Sequence, residues 1–326
     1  MDSGSVEAGQ CLPATRPGCA VVDGGRRAAR QKARRGVMLG VAMGFLVAAG
    51  CRIPGYGGIK SRTVLTSRQL SQQGSSALYR QDWASAESLF SRAVAACPFD
   101  VDARGRYAET LWHRGAREEA IAQLVEATKI APEDPRLLVL LAEYHLTAGQ
   151  VNEARRDAEA AIDLEPKSCE AWTVRGRVMR QLGDNRQALA DLHRALSYDP
   201  RNAQVLHDLA QTYLAAGEPQ RALANLQSLL EFHPPGDEPS QLLFETGLAY
   251  ARLGRYAEAI ASYQIASARD PRNPEILFAL SEAEMARGRT TEARQALEQA
   301  IARDPANPRY QQLWAKMPGQ ADSQVR

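Results

Sequence analysis

The sequence predicts an all-α protein in which seven helix–turn–helix repeats stack into a solenoid, and three regularities predict it. A proline recurs at six intervals, five of 34 residues and one of 37, as Pro98, Pro132, Pro166, Pro200, Pro234, Pro271 and Pro305. An alanine stands twelve residues before each of these prolines, and a glycine stands seventeen residues before six of them. A fixed period of this length indicates hairpins that stack side by side, because one hairpin cannot bury its own apolar faces.

The composition suits this architecture and argues against several classes of function. The 326 residues are 44% apolar and 24% charged, with only 6% aromatic, so Ala and Leu must build the core between closely packed helices. The 40 Lys and Arg are balanced by 38 Asp and Glu. A nucleic-acid surface carries a clear basic excess, so we expect no nucleic-acid partner.

Residues 1–50 have the pattern of an export signal with a long basic lead. Six of the ten residues from 26 to 35 are basic, and the fifteen residues 36–50 carry no charge. A basic segment, a short apolar segment and then small residues are typical of a signal peptide. Fifteen helical residues extend only about 22 Å, short of a hydrocarbon core of about 30 Å, which favours a cleaved signal over a permanent span. The basic flank stays cytoplasmic, so the rest of the chain is expected outside.

The apolar segment ends at Ala49-Gly50-Cys51, which resembles the lipobox of bacterial lipoprotein signals. In that family the signal is cut before the cysteine, whose thiol is diacylated. The resemblance implies a mature chain that begins at a lipidated Cys51, with residues 51–66 as a flexible spacer. Two or three acyl chains give stable anchoring, whereas one gives marginal binding. An ordinary cleaved signal and an uncleaved anchor are the alternatives.

Each column of the repeat has a steric reason. The glycine, for example Gly115, is expected to end a first helix because it readily adopts the left-handed backbone conformation. The proline follows a second helix and stops it. Small residues twelve and twenty-four positions before the proline lie where two helices approach closely. In the first repeat Gln81 replaces the glycine.

These columns resemble the tetratricopeptide repeat, a family of 34-residue helix–turn–helix units. The resemblance implies a right-handed α-solenoid with repeats at 67–100, 101–134, 135–168, 169–202, 203–236, 240–273 and 274–307. Residues 308–326 are expected to form a capping helix, with Leu313 and Trp314 covering the last repeat, and a tail. The single longer interval, at 234–239, is expected to be a tolerated surface insertion, with a hinge as the alternative. Three charged residues stand at usually apolar positions of the repeat: Arg104, Arg175 and Glu284.

The sequence carries no catalytic or metal-binding motif, so we expect no enzyme activity, no cofactor and no metal. The five histidines form no HExxH spacing. Apart from the signal and Cys51, the only cysteines are Cys97 and Cys169, which are 72 residues apart. Two cysteines are too few for a disulfide framework, so both are expected to be packing residues. After cleavage before Cys51, only 16 residues precede the repeats and 19 follow them, too few for a catalytic domain.

Partner binding is the remaining function, and solenoids bind through their concave face. In the resembled family the first helix of each repeat lines that face, which implies a protein or peptide partner and no small-molecule substrate. The residues expected to line this groove are Trp112, Arg177, Arg180, Phe244, Leu248, Phe278 and Met285.

Two patches are predicted within this groove. Arg177 and Arg180 form a small basic patch, with a solvated pair of charges as the alternative. The four apolar residues of repeats six and seven form a stripe for an apolar or helical peptide. The alternative for Phe244 and Phe278 is packing between adjacent helices. Ser71 and Ser75 replace the Lys and Asn that chaperone-binding members use to clamp a carboxylate, so no such clamp is expected.

The sequence thus favours a lipid-anchored interaction scaffold in the bacterial cell envelope that faces the periplasm. Arg52 follows the lipobox cysteine where Asp would indicate inner-membrane retention, which favours the outer membrane. Two alternatives stay open. One is an anchored component of a machine for polysaccharide synthesis, polysaccharide export or secretion, and the other is an enzyme whose active site has no recognised motif.

Overall fold

The structure is a computed structural model, and it describes residues 59–317. In that range it contains fifteen α-helices and no strand. The first eight are α1 (Ile59–Tyr79), α2 (Trp83–Ala96), α3 (Val101–His113), α4 (Arg117–Ile130), α5 (Pro135–Thr147), α6 (Val151–Leu164), α7 (Cys169–Gln181) and α8 (Asn185–Tyr198). The others are α9 (Ala203–Ala215), α10 (Pro219–Leu230), α11 (Ser240–Arg252), α12 (Tyr256–Arg269), α13 (Pro274–Ala286), α14 (Thr290–Arg303) and α15 (Pro308–Lys316). The predicted signal, Cys51 and residues 318–326 lie outside the described residues.

These helices form seven hairpins, α1 with α2 through α13 with α14, and α15 packs on the last of them. The second helix of each hairpin also contacts the first helix of the next, so the hairpins stack in sequence order from α2 onward. First helices of neighbouring hairpins also contact each other, for example α5 with α7 and α11 with α13. They form an inner layer, and the second helices form an outer layer. The predicted fold class, an all-α solenoid with a capping helix, is confirmed.

The turns inside the hairpins adopt the backbone that the glycine column requires. Gly115 has a φ of +85°, and the equivalent glycines of the later repeats also have positive φ. Gln81 occupies this position in the first hairpin with a φ of +58°, which makes it the one non-glycine residue of the described chain with a positive φ. A side chain with a Cβ is strained in this conformation.

Five of the seven first helices, and the capping helix α15, begin at a polar capping side chain two residues after a column proline, whereas α11 begins after Pro239 without a side-chain cap. Asp100 accepts a hydrogen bond from the backbone N–H of Ala103 at 3.1 Å. The same type of cap is formed by Asp134, Ser168, Asn202, Asn273 and Asn307. Each cap satisfies one of the amide groups that a helix start leaves without an intrahelical partner.

The core between the two layers is narrow because it is filled by small residues. All seven column alanines, Ala86 to Ala293, have no exposed surface. At Gly247, a Cβ atom would come within 2.4 Å of the Tyr263 ring, which is 1% exposed. The packing of α11 on α12 therefore depends on the missing side chain.

The longer interval between repeats five and six forms a surface loop. Residues 234–237 are exposed, and Arg269 Nη2 donates to Glu238 Oε2 at 3.0 Å. The helices on either side, α10 and α11, still contact each other. The additional residues therefore leave the stacking of the hairpins continuous.

Candidate functional site

The inner layer of first helices presents three chemically distinct regions. An aromatic region lies on α3 and α5, a network of charged side chains runs from α5 to α11, and an apolar pocket lies between α11 and α13. All seven residues of the predicted groove lie on these helices.

The aromatic region holds Trp112 in a fixed stack. Its ring lies 4.0 Å from the ring of Tyr144, centre to centre, with the two planes 17° apart. The Arg117 guanidinium lies 5.6 Å from the centre of the Trp112 ring. Burial, with Glu109 and Glu143 nearby, raises the pKa of Tyr144 to about 12, so its hydroxyl stays protonated. Trp112 is half-buried, and these two contacts hold its ring in place.

Arg177 and Arg180 lie together, and both are paired with acidic side chains. Arg177 Nε donates to Asp208 Oδ2 at 2.6 Å, and its Nη1 lies 3.3 Å from Glu143 Oε1. Arg180 Nη2 lies 3.5 Å from Asp208 Oδ1. Asp208 is 3% exposed, so its carboxylate is held between two guanidinium groups in a largely dehydrated setting. The predicted basic patch is therefore a neutralised network.

The network continues to α11 through hydrogen bonds. Gln211 Nε2 donates to Glu245 Oε1 at 3.0 Å, and His207 Nε2 lies 2.8 Å from Glu245 Oε2. Burial raises the pKa of Glu245, but hydrogen bonds from His207, Gln241 and Gln211 outweigh it and leave the pKa below its ordinary value. The hydrogen bond with Glu245 raises the pKa of His207. The charged groups of four successive first helices are thus linked.

The apolar pocket between α11 and α13 has a volume of about 330 Å³. Leu248, Tyr263 and several alanines form its walls, and Arg252 and Glu282 are charged groups at its exposed edge. Burial and the nearby Glu282 raise the pKa of Tyr263, so the pocket keeps a neutral phenol between the two charges. It can accept an apolar side chain flanked by polar groups.

The four residues of the predicted apolar stripe divide between two clusters. Phe278 is 4% exposed and lies 5.0 Å from the ring of Tyr310, centre to centre, and Met285 packs in the same cluster. Phe244 and Leu248 pack in the cluster of Tyr263, and only Leu248 lines the pocket. The structure therefore places Phe278 between helices, which is the alternative stated for it. The capping helix covers it through Tyr310, which is fully buried, while the predicted covering residues Leu313 and Trp314 are half-buried.

Sequence reasoning missed the acidic members of the network, Asp208 and Glu245. Both occupy the sixth position of their repeats, and each pairs with a side chain of the preceding repeat. The spacing of Arg177 and Asp208 in the sequence could have indicated their pairing. They are 31 residues apart, which is the 34-residue period less three residues, or about one helical turn. His207 and Asp208 are adjacent in the sequence, but His207 pairs with Glu245 of repeat six and Asp208 pairs with Arg177 of repeat four.

Three further features of the described part of the chain concern membrane spanning, metal binding and cysteine reactivity. No helix between residues 59 and 317 is long and apolar enough to cross a membrane. The same residues contain no group of three His, Cys, Asp or Glu side chains placed to hold a metal ion. Cys97 and Cys169 are both buried, and burial raises the pKa of the Cys169 thiol.

Comparison with solved structures identifies helical repeat proteins of the same architecture. A tetratricopeptide repeat protein from Parabacteroides merdae is 16% identical with a TM-score of 0.60, over 76% of this chain and 97% of its own. PilW, a type IV pilus biogenesis factor, is 17% identical with a TM-score of 0.60, over 66% of this chain and 98% of its own. PilF of Pseudomonas aeruginosa is 17% identical with a TM-score of 0.57, over 66% of this chain and 97% of its own.

Models of the tetratricopeptide repeat match most of the helical region. One model matches residues 71–135, 139–184 and 244–308, which together exceed half of the chain, and a second matches 179–243. The matches agree with the period, the glycine turns and the stacked hairpins described above. This chain therefore belongs to the tetratricopeptide repeat family.

Proposed function

We propose that this protein is a non-enzymatic scaffold, anchored by lipid on Cys51 to a membrane of the bacterial cell envelope, that holds a protein or peptide partner on its inner face. The tetratricopeptide architecture is suited to protein–protein interaction, and that part of the function follows from the family. The lipid anchor, the periplasmic orientation and the preference for the outer membrane rest on the lipobox pattern that ends at Cys51 and on Arg52.

The observation that carries the proposal is the pocket between α11 and α13. It lies on the inner layer, its walls are apolar, and Arg252 and Glu282 flank it. An apolar side chain of a peptide fits such a pocket, and charges on both sides fix the direction of the peptide. Leu248 is the groove residue predicted from the sequence that lines it.

The other predicted groove residues have supporting parts in this proposal. Trp112 offers a rigid aromatic surface at the N-terminal end of the inner layer. Arg177 and Arg180 hold neighbouring first helices together and present a neutral polar surface between the two ends. The partner is therefore expected to contact the two ends more strongly than the middle.

PilW is a type IV pilus biogenesis factor, and envelope assembly is compatible with the anchor proposed here. At 17% identity that likeness concerns the fold, so the envelope location depends on Cys51. The second candidate function is an anchored component of a polysaccharide synthesis, export or secretion machine. The uncharged segment 36–50 favours it if the segment stays uncleaved.

The anchor is tested by the intact mass of the mature protein extracted from membranes. A chain that begins at a diacylated or triacylated Cys51 supports the lipoprotein, and an unprocessed N-terminus supports the second candidate. A chain cut at another residue without lipid contradicts both.

Partner binding is tested by cross-linking in intact cells. Leu248→Glu places a charge in the pocket wall and should abolish the cross-linked complex. Ile265→Glu is the matched control, because Ile265 is 48% exposed on α12 and does not line the pocket. Equal complex formation by both folded variants would contradict the pocket as the binding site.

A further inference from the structure

A second groove lies on the outer layer, between α12 and α14. Its volume is about 410 Å³, and its floor is formed by Leu277, Leu280 and Glu284 of α13. Polar side chains line its walls, among them Gln264 of α12 and Glu292 of α14. Of the residues that line it in the described chain, two are acidic and none is basic. The groove faces away from the inner-layer pocket proposed above.

The floor of this groove holds a buried carboxylate with an unfilled hydrogen-bond position. Glu284 is 3% exposed, and its Oε2 has no hydrogen-bond partner among the described residues. The nearest cation is Arg289, whose Nη1 lies 3.6 Å from that oxygen, beyond hydrogen-bond distance. Buried carboxylates in folded proteins are normally both paired and hydrogen-bonded. The ion pair with Arg289 therefore leaves this oxygen without a hydrogen bond from the described residues.

Repeat three shows which pair of side chains occupies the equivalent positions elsewhere in the solenoid. His145 occupies the same position in its repeat as Glu284, the eleventh. Its Nδ1 lies 2.7 Å from Asp157 Oδ2 of the following helix. The residue equivalent to Asp157 in repeat seven is Ala296, which lines the groove and offers no polar group. Glu284 therefore lacks the side-chain partner on the following helix that His145 has, and its ion pair is the long one with Arg289.

Repeats two and four show which chemical group fits this place. In repeat four, Arg175 donates to both oxygens of Asp191, at 2.8 and 2.7 Å, and its guanidinium lies 4.4 Å from the centre of the Trp172 ring. In repeat two, Arg104 Nη1 donates to Gln123 Oε1 at 2.8 Å. The residues equivalent to Trp172 and Arg175 in repeat seven are Leu277 and Leu280, which leave the same space open.

We infer that the groove between α12 and α14 binds the guanidinium group of an arginine side chain presented by a partner protein, with Glu284 as its principal acceptor. A guanidinium is planar, weakly hydrated and rich in directed donors, so it can enter a half-buried groove and pair with a carboxylate. Glu292 and the wall glutamines supply acceptors for its remaining N–H groups. The site is separate from the inner face and does not depend on the pocket there.

The direct test titrates the full chain, in detergent micelles, with a blocked peptide of sequence Ala-Ala-Arg-Ala-Ala. Binding is followed through the methyl resonance of Ala296, which lines the groove. We expect a saturable shift with the arginine peptide and none with the same peptide carrying citrulline, which is uncharged. Equal shifts with the two peptides, or no shift with either, would overturn the inference.

Two variants assign the effect to the carboxylate. Glu284→Gln should weaken binding of the arginine peptide about tenfold or more, because it removes the charge from the acceptor. Glu298→Gln is the matched control, since Glu298 is an exposed acid on α14 that lines neither this groove nor the inner pocket. Unchanged binding in Glu284→Gln, or equal losses in both variants, would contradict the assignment.

A third variant tests the groove without any peptide. Leu280→Arg places a guanidinium on the floor at the position that Arg175 occupies in repeat four. We expect it to raise the melting temperature and to block the arginine peptide, and we expect Glu284→Gln to remove the rise when the two changes are combined. A fall in the melting temperature that is the same with and without Glu284 would show that the groove does not accept a guanidinium.

Discussion

Replacing the central carboxylate of the inner network tests whether that network holds the solenoid together. Asp208→Asn keeps the shape of the side chain and removes its charge. Asp208 is 3% exposed and lies between Arg177 and Arg180, whose side chains are 21% and 25% exposed. The change leaves two partly buried guanidinium groups without their shared counter-charge.

The expected cost follows from the burial of these groups. Removing one partner of a fully buried ion pair costs about 3–5 kcal/mol, because the other charge stays buried without compensation. Both guanidinium groups keep some contact with water, and Glu143 and Gln211 remain as partners. We therefore expect a loss of about 2–3 kcal/mol in the free energy of unfolding.

The assay is urea unfolding followed by far-UV circular dichroism, at low and at high salt. Glu143→Gln is the matched control, because Glu143 binds the same arginine but its side chain is 42% exposed. Its loss should stay below about 1 kcal/mol and shrink in salt, whereas the loss from Asp208→Asn should persist. Equal losses from the two variants, or a loss from Asp208→Asn that salt removes, would refute the reasoning.

Three further changes test the turn, the helix contact and the pH response of the same structure. Gln81→Gly should stabilise the protein by about 1 kcal/mol, because it relieves the positive φ of +58° at the first turn, and a lower urea midpoint would contradict this. Gly247→Ala should destabilise it by about 1–3 kcal/mol, since the new methyl group would lie 2.4 Å from the rigidly packed Tyr263 ring; an unchanged melting temperature would show that the helices can separate freely. The pKa of His207 is raised by Glu245, so its ion pair contributes fully below the unfolded value of about 6.5 and is lost as pH rises through the folded value. His207→Gln should therefore cost about 1 kcal/mol or less near pH 6 and less still near pH 9, and a cost that grows with pH would contradict the assignment.

The hairpins could be predicted from the sequence because their requirements are local. A glycine with positive φ, a small residue at a close contact and a proline after a helix each follow from the sterics of a few neighbouring atoms. The same steric requirement recurs once per repeat, so it appears as a column. Gly115 and Ala120 are two such positions, and the structure gives them a φ of +85° and complete burial.

The candidate site was only partly predictable because it depends on contacts between repeats. Arg177 and Arg180 were placed on the inner layer, but the depth of Asp208 between them follows from how far one repeat is rotated against the next. The position of Phe278 depends likewise on Tyr310, which belongs to a helix outside the repeats. The period fixes which residues recur and leaves open which of them meet across an interface.

The three charged residues at usually apolar positions illustrate why a departure from a repeat pattern must be judged by its partners. Arg104 and Arg175 break the pattern, yet each donates to a polar side chain of the following helix, so the fold itself explains them. Glu284 breaks it on the first helix of its repeat and has an oxygen that receives no hydrogen bond from the described residues, although Arg289 lies 3.6 Å away. In a stack where each repeat contacts only its neighbours, the energetic cost of that oxygen stays within repeats six and seven, so the remaining five can stay intact while it persists. A stabilising Leu280→Arg would then indicate that the sequence retains an open groove at the expense of stability, which is the expected signature of a binding site and not of a packing position.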